Sequence, residues 1–283
     1  MELWYALVDL LPFEWAQPGH MYFMKNALLA VLVISPLFGI LSTMVVQSRM
    51  SFFSDALGHS AFTGMAIGSI AGLFAEPLWC AVLFAILFAL LFTFVRRRTS
   101  LASDTVIGVF SSTAVALGIF IATLGGQSFT KFNALLIGDI LSVEPGKIGL
   151  LALILLVVVV LWACSFNHLM LSAVHPALAD SRGIRVFWQE ALFSVAIAVV
   201  VTFSMTWVGL LVINSLLVLP AAMARNVARN MRQYHLFSLL GAVAAGIGGL
   251  MMSYYIDASA GASITLCLAA LFLVTFFFRK QRQ

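Results

Sequence analysis

Long apolar runs separated by short polar breaks dominate the pattern of this chain. A bilayer span needs about 20 apolar residues, and by that rule the sequence predicts about nine membrane-spanning helices. They run from about Met21 to Val46, Ser54 to Phe74, Pro77 to Val95, Asp104 to Leu124 and Ile148 to Phe166, then Phe187 to Trp207, Val208 to Ala224, Leu236 to Tyr255 and Ser259 to Phe278. The predicted fold class is all-α, a polytopic transmembrane helical bundle. Three stretches break the pattern. Residues 1–20 set Glu2, Asp9 and Glu14 among Leu, Trp and Phe, which predicts a short helix lying at an interface. They lack the basic start and small-residue cleavage site of a signal peptide. Residues from Gly125 to Lys147 are too broken to span simply. Their apolar piece, Phe132 to Val143, has the length of a re-entrant or interfacial segment. In the polar segment from Asn167 to Val186, Pro176 can open a helix and Gly183 can end it, so about two turns are expected outside the bilayer. The expected organisation is an outer N-terminal segment, 1–20, and one transmembrane domain, 21–283.

Basic residues orient the bundle, because short cytoplasmic loops collect Lys and Arg. With Arg96, Arg97 and Arg98 inside, Arg49, the Arg182–Arg185 loop, Arg225, Arg229, Arg232 and the C-terminal Arg279–Arg282 all fall inside too. Asp139, Glu144 and Asp257 fall outside. The N-terminus is therefore expected outside and the C-terminus in the cytoplasm, in a multi-pass protein of a cell membrane. The tightest boundary lies between the sixth and seventh spans, where Trp207 and Gly209 leave almost no loop.

Composition agrees with a chain dissolved in lipid. It is 63% hydrophobic and 9% charged over 283 residues, with a mean hydropathy of +1.08, whereas a soluble domain carries about 25% charged residues. The net charge of +4 falls in short clusters between apolar runs, which fits topology and not nucleic-acid binding. Cys80, Cys164 and Cys267 lie in apolar runs without CxxC spacing and read as small hydrophobes. The chain has no GxxxxGK[ST] run for ATP and no HExxH zinc site. Gly138-Asp139 has no second mid-span aspartate to make a catalytic carboxylate pair. These absences argue against an enzyme.

The chemistry concentrates between Ser51 and Gly72. Asp55 and His59 are four apart and so share one helix face, beside a ladder of small residues: Ala56, Ser60, Gly64, Gly68 and Gly72. Such a ladder lets another helix approach closely. An ionisable residue inside a span is costly and marks a pathway or a partner. A carboxylate and an imidazole one turn apart can both reach one divalent cation, and zinc, manganese and iron(II) accept both donors. Two donors hold an ion weakly enough to release it, as a conduit requires. The other reading makes Asp55 an N-terminal cap or dipole partner and His59 an interior histidine. Further on, Asn214 and Ser215 sit among leucines and valines, where they either bond a neighbouring helix or line the path. Pro220 is expected to kink or break that span. The 167–186 segment is open between an ordinary connection and a docking element for a soluble partner.

The run RMSFFSDALGHSAFTGMAIG, Arg49 to Gly68, resembles the signature of the permease subunits of bacterial ABC importers for zinc, manganese and iron, the ABC-3 family, and the zinc-uptake permeases above all. VGLLVINSLLVLPAAMAR, Val208 to Arg225, is similar to a second family signature. HPALADSRGI, with Pro176, Ala179 and Gly183, looks like the family's cytoplasmic coupling helix, and DTVIG from Asp104 and LLIGDIL from Leu135 are also family-like. The resemblance runs from about Met21 to the end of the chain. It implies a permease of the type II ABC importer kind in a bacterial inner membrane, working by alternating access on zinc, or alternatively manganese or iron. It implies a homodimer, two copies of a separate ATPase that bind the ATP, and a periplasmic or surface metal-binding protein. It also implies that Asp55 and His59 take part in metal passage and that the chain itself holds no cofactor. His175 and Pro176 depart from the acidic residues many members carry before the coupling helix. A stand-alone secondary transporter is the rival reading. Uptake of a chelated iron or cobalamin-like ligand is another, and such permeases usually have ten spans.

Overall fold

The structure, a computed structural model, describes residues 2–10, 12–18, 21–72, 76–124 and 138–278. Among these residues the chain forms eleven α-helices. They are α1 Glu2–Val8, α2 Tyr22–Gln47, α3 Phe53–Ala71, α4 Pro77–Arg98, α5 Ser103–Leu124, α6 Pro145–Val174, α7 Pro176–Ser181, α8 Val186–Val208, α9 Leu210–Val227, α10 Met231–Ile256 and α11 Ala260–Phe277. Their ends follow local chemistry. Pro77, Pro145 and Pro176 open α4, α6 and α7, where a missing N–H costs nothing. Asn230 caps α10 through the amide of Gln233. Gly72 closes α3 in the left-handed conformation, φ +58. Pro220 lies inside α9, which continues through it.

Eight of these helices are long and apolar enough to cross a membrane. They match eight of the expected spans. The remaining one, α3, is a full helix of 19 residues but a more polar one, carrying Asp55, His59 and several small or hydroxyl residues. It can be so because α4 and α5 pack along it, with α8 and α9 touching it as well. Polar groups that neighbouring helices cover do not meet lipid. At the centre, α2 and α8 are each 67% buried over their most apolar stretch, against 17% for α6, which stands at the rim. Around α2 stand α6, α9 and α10; α8 packs on α4 and α6.

The N-terminal segment is tied to the first turn of α2. Trp4 Nε1 donates to the Lys25 carbonyl at 2.9 Å, and Tyr5 Oη donates to Asn26 Oδ1 at 2.9 Å. Lys25, fully buried, pairs with Asp9 and donates to the Gln17 carbonyl. A buried ammonium needs such partners. Trp15 is fully buried beside it, while Leu3, Leu7 and Leu10 stay exposed. Of the interfacial piece expected from Phe132 to Val143, only the part from Gly138 onward is described. It holds a single 3₁₀ turn, Ile140–Ser142, started by Asp139, whose carboxylate accepts from the Leu141 amide. Phe74 and the basic cluster from Arg279 onward lie outside the described residues.

Candidate functional site

Asp55 stands in the first turn of α3, but it does not cap the helix: Phe52 holds the cap position and no side chain bonds there. Its carboxylate turns sideways instead. Oδ1 accepts from Asn214 Nδ2 of α9 at 3.2 Å, and Oδ2 accepts from Ser111 Oγ of α5 at the outer limit of 3.5 Å. His59, one turn on, places Nε2 at 3.4 Å from Oδ2. Three helices thus converge on one carboxylate. Its side chain keeps 44% of its surface open, against 16% for His59. The Asn214 amide oxygen is buried with no hydrogen-bond partner. A carboxylate with open acceptor sites, an imidazole and an orphaned amide oxygen form an oxygen-and-nitrogen donor set suited to a borderline divalent cation. Among the described residues no group of three or more His, Cys, Asp or Glu side chains could hold a metal ion. Donors as few as these hold a divalent ion only weakly.

The ladder on α3 builds the wall behind the site. Ala56 and Ser60 are fully buried. A Cβ on Gly64 would come within 2.6 Å of the Ala81 Cα, and one on Gly68 within 2.7 Å of the Cys80 Cβ, so α4 lies directly on these two glycines. Gly72 does something else: a Cβ there would meet none of the described residues within 4 Å, and it serves the turn that ends the helix. Of the two polar residues singled out on α9, Asn214 reaches the site. Ser215 faces the other way, donating to the Leu211 carbonyl at 2.8 Å and sharing a 2.9 Å hydrogen bond with Thr265 of α11.

Two contributions were not singled out beforehand. Ser111 is one, although a serine pair, Ser111 and Ser112, in mid-span is a visible signal. The other is a backbone crossing. Gly138 has φ +60, and a Cβ on it would come within 2.2 Å of the Gly209 nitrogen. The two glycines lie against each other at the α8–α9 junction, from which α9 leads to Asn214 one turn later. Leu210, the first residue of α9, packs over Gly58 of α3, where a Cβ would come within 2.4 Å of its side chain.

The segment after α6 carries Pro176, Ala179 and Gly183. Pro176 opens α7, Ala179 is fully buried and accepts from the Arg182 and Ile184 amides, and Gly183, at φ +74, turns the chain back. This short helix packs on α6 and α8. Pro176 borders a cavity of about 170 Å³ together with Arg49, Arg96 and Glu190. Arg97 is bound to Glu190 at 3.1 Å, and Arg96 to the Ser48 carbonyl at 2.9 Å, which fastens α4 to α8 and to the α2–α3 turn at this end.

Comparison with known proteins places these features in a context. The model of the ABC 3 transport family matches residues 20–279. The chain is 31% identical to the manganese import system permease protein ScaB of Streptococcus gordonii, over 95% of this chain and 96% of that protein. It is 29% identical to the high-affinity zinc uptake system membrane protein ZnuB of Haemophilus influenzae, over 90% of this chain and 97% of that one. Among solved structures it resembles PsaBC from Streptococcus pneumoniae in complex with Fab, with a TM-score of 0.78 and 27% identity, covering 99% of this chain and 97% of that chain.

Proposed function

The chain belongs to the ABC 3 transport family, and from that premise we propose that its divalent metal cargo, zinc first and manganese or iron(II) as the alternatives, passes the Asp55–His59–Asn214 cluster. The chain is the multi-pass permease of a metal-ion ABC importer in the bacterial inner membrane, and it is not itself an enzyme. The observation that carries the reading is the convergence of α3, α5 and α9 on one half-open carboxylate. Asp and His together suit zinc, manganese and ferrous iron alike, so the donor set favours a waypoint over a selective capture site. Asp55 stands at the start of α3, next to the turn that carries Arg49, which puts it toward the cytoplasmic end and makes it an inner gate.

The rest of the assembly follows from the same premise. Two copies of this chain pair, two copies of a separate ATPase bind the ATP, and a periplasmic or surface metal-binding protein delivers the ion. The ATPase docks on α7 through the Pro176–Gly183 segment. Closure of the ATPase pair then rocks α6 and α8, between which α7 is held, and alternates access to the site. The helix α1 lies on the outer membrane surface, with Leu3 and Leu7, and Leu10 just beyond it, turned to lipid.

The test is metal uptake into proteoliposomes by the reconstituted complex, with zinc, manganese and iron(II) compared. Asp55→Ala and His59→Ala should each impair uptake while the complex still assembles. Wild-type uptake by both variants would remove the site. Uptake by this chain without an ATPase would remove the importer and leave a secondary transporter.

A further inference from the structure

Only some of the basic side chains at the cytoplasmic end are bonded to other groups. Arg96 and Arg97 are bonded as described, but among the described residues Arg225, Arg229 and Arg232 enter no ion pair. Two of them, Arg225 and Arg229, border a cavity of about 320 Å³ set between the end of α2, the end of α9 and the start of α10. Gln47, Ala228, Asn230, Met231 and Tyr234 complete its wall, and none of the described lining residues is acidic. Tyr234 is only 6% exposed, and its hydroxyl is buried with no hydrogen-bond partner. A buried hydroxyl left without a partner carries an uncompensated desolvation cost, so a ligand that accepts from it is favoured there. The N-terminus of α10 opens on the same cavity. Asn230, which lines it, satisfies only the Gln233 amide. The amides of Met231 and Arg232 remain as donors at the positive end of the helix dipole.

We propose that this cavity binds a phosphate group, held by Arg225, Arg229, the α10 N-terminus and the Tyr234 hydroxyl. All four elements are donors, two carry full positive charge, and together they match a multiply accepting anion. The cavity sits on the side where the basic loops collect, at the level of the inner-leaflet headgroups, where basic pockets between spans take anionic lipids. The phosphate is therefore that of an anionic phospholipid or a free phosphate from the cytoplasm. Because the cavity joins the ends of α2, α9 and α10, its occupant clamps α9, the helix that carries Asn214, to the helices on either side. This site is separate from the metal path, and its test does not use transport.

The experiment is native mass spectrometry of the full chain released from mixed micelles of phosphatidylglycerol and phosphatidylcholine, with inorganic phosphate added in a second series. The wild type should retain phosphatidylglycerol over phosphatidylcholine. Retention should fall roughly thirtyfold in the Arg225→Gln/Arg229→Gln double variant, since each arginine near the surface contributes about fivefold. It should fall about fivefold in Tyr234→Phe, which removes one hydrogen bond and keeps the ring. If excess inorganic phosphate strips the lipid, or binds by itself and the double variant abolishes that binding, the free anion is an occupant; if it does neither, the lipid is. Equal retention of both lipids with no phosphate binding would overturn the site. So would loss in the double variant with none in Tyr234→Phe, which would mark a diffuse surface charge and no pocket.

Discussion

Two of the polar contacts that join helices in this bundle differ in what they leave unused. Between α2 and α10, the Ser42 and Ser238 hydroxyls lie 2.8 Å apart and 2.9 and 2.7 Å from the Gly39 carbonyl, so that one donates to the other and the second donates to the carbonyl. Both serines are fully buried. Between α3 and α9, the contact is a carboxylate and an amide, with 44% of the carboxylate side chain open and the amide oxygen unpartnered. The first contact is closed on itself: its donors and acceptors are matched, and it carries no charge. The second is built from stronger groups and leaves acceptors spare. In a membrane, where spare polarity is costly, this difference is the one that the proposed ion path requires between its own contact and a packing contact.

The comparison breaks first at Asp55. Replacing even a residue that only orients a metal ligand costs about 10- to 100-fold in affinity or activity, and Asp55 is read here as touching the ion. Asp55→Ala should therefore lower uptake at least about tenfold, with no loss of assembled complex on size-exclusion chromatography. If uptake per assembled complex stays at wild type, the half-open carboxylate is another structural tie like the serine pair.

A different kind of break comes from the wall behind the site. At Gly64 an added methyl meets the Ala81 backbone at 2.6 Å and the Cys80 carbonyl at 2.9 Å, and neither can swing aside. Overpacking of this kind costs about 1–3 kcal/mol. Gly64→Ala should lower the apparent melting temperature of the purified chain while uptake per folded molecule changes little. An uptake loss as deep as that of Asp55→Ala, in protein of unchanged stability, would show that the ladder belongs to the ion path itself.

How far the sequence showed this in advance depends on the range of each interaction. The spans were legible because apolar length is a local property. So was the pairing of Asp55 with His59, a matter of spacing on one helix. The polarity of α3 was legible too, but not its protection, which comes from helices distant in the chain. Asn214 and Ser215 are adjacent and chemically alike, yet one reaches Asp55 and the other Thr265. Only the rotation of α9 in the bundle decides between them, and no local pattern encodes it. Gly138 against Gly209 is the extreme case, since two backbones touching across separate segments leave no side-chain signature at all.

Asn214 tests the middle of the comparison. Its amide donates to Asp55 and keeps a free oxygen, so Asn214→Ala removes one hydrogen bond to a charged group along with one spare donor atom. A bond of that kind contributes about 1.5 kcal/mol or more, but polar contacts within membranes average nearer 0.6 kcal/mol. Uptake should accordingly fall about three- to tenfold, less than for Asp55→Ala. Asn214→Asp, which keeps an oxygen but loses the donor and places two carboxylates together, should alter the order of preference among zinc, manganese and iron(II) in the same uptake assay. Identical metal preference in Asn214→Asp and the wild type would place Asn214 outside the path.

The smallest effect belongs to the closed contact. Ser238→Ala removes one partner of Ser42, but Ser42 still has the Gly39 carbonyl to donate to, so no buried group is orphaned. The loss should be about 0.6 kcal/mol, the average for such bonds in a membrane, read as a small fall in apparent melting temperature with uptake unchanged. A Ser238→Ala variant that lost uptake as Asn214→Ala does would mean that the α2–α10 seam moves during transport. The rigid half of the bundle would then have to be sought elsewhere.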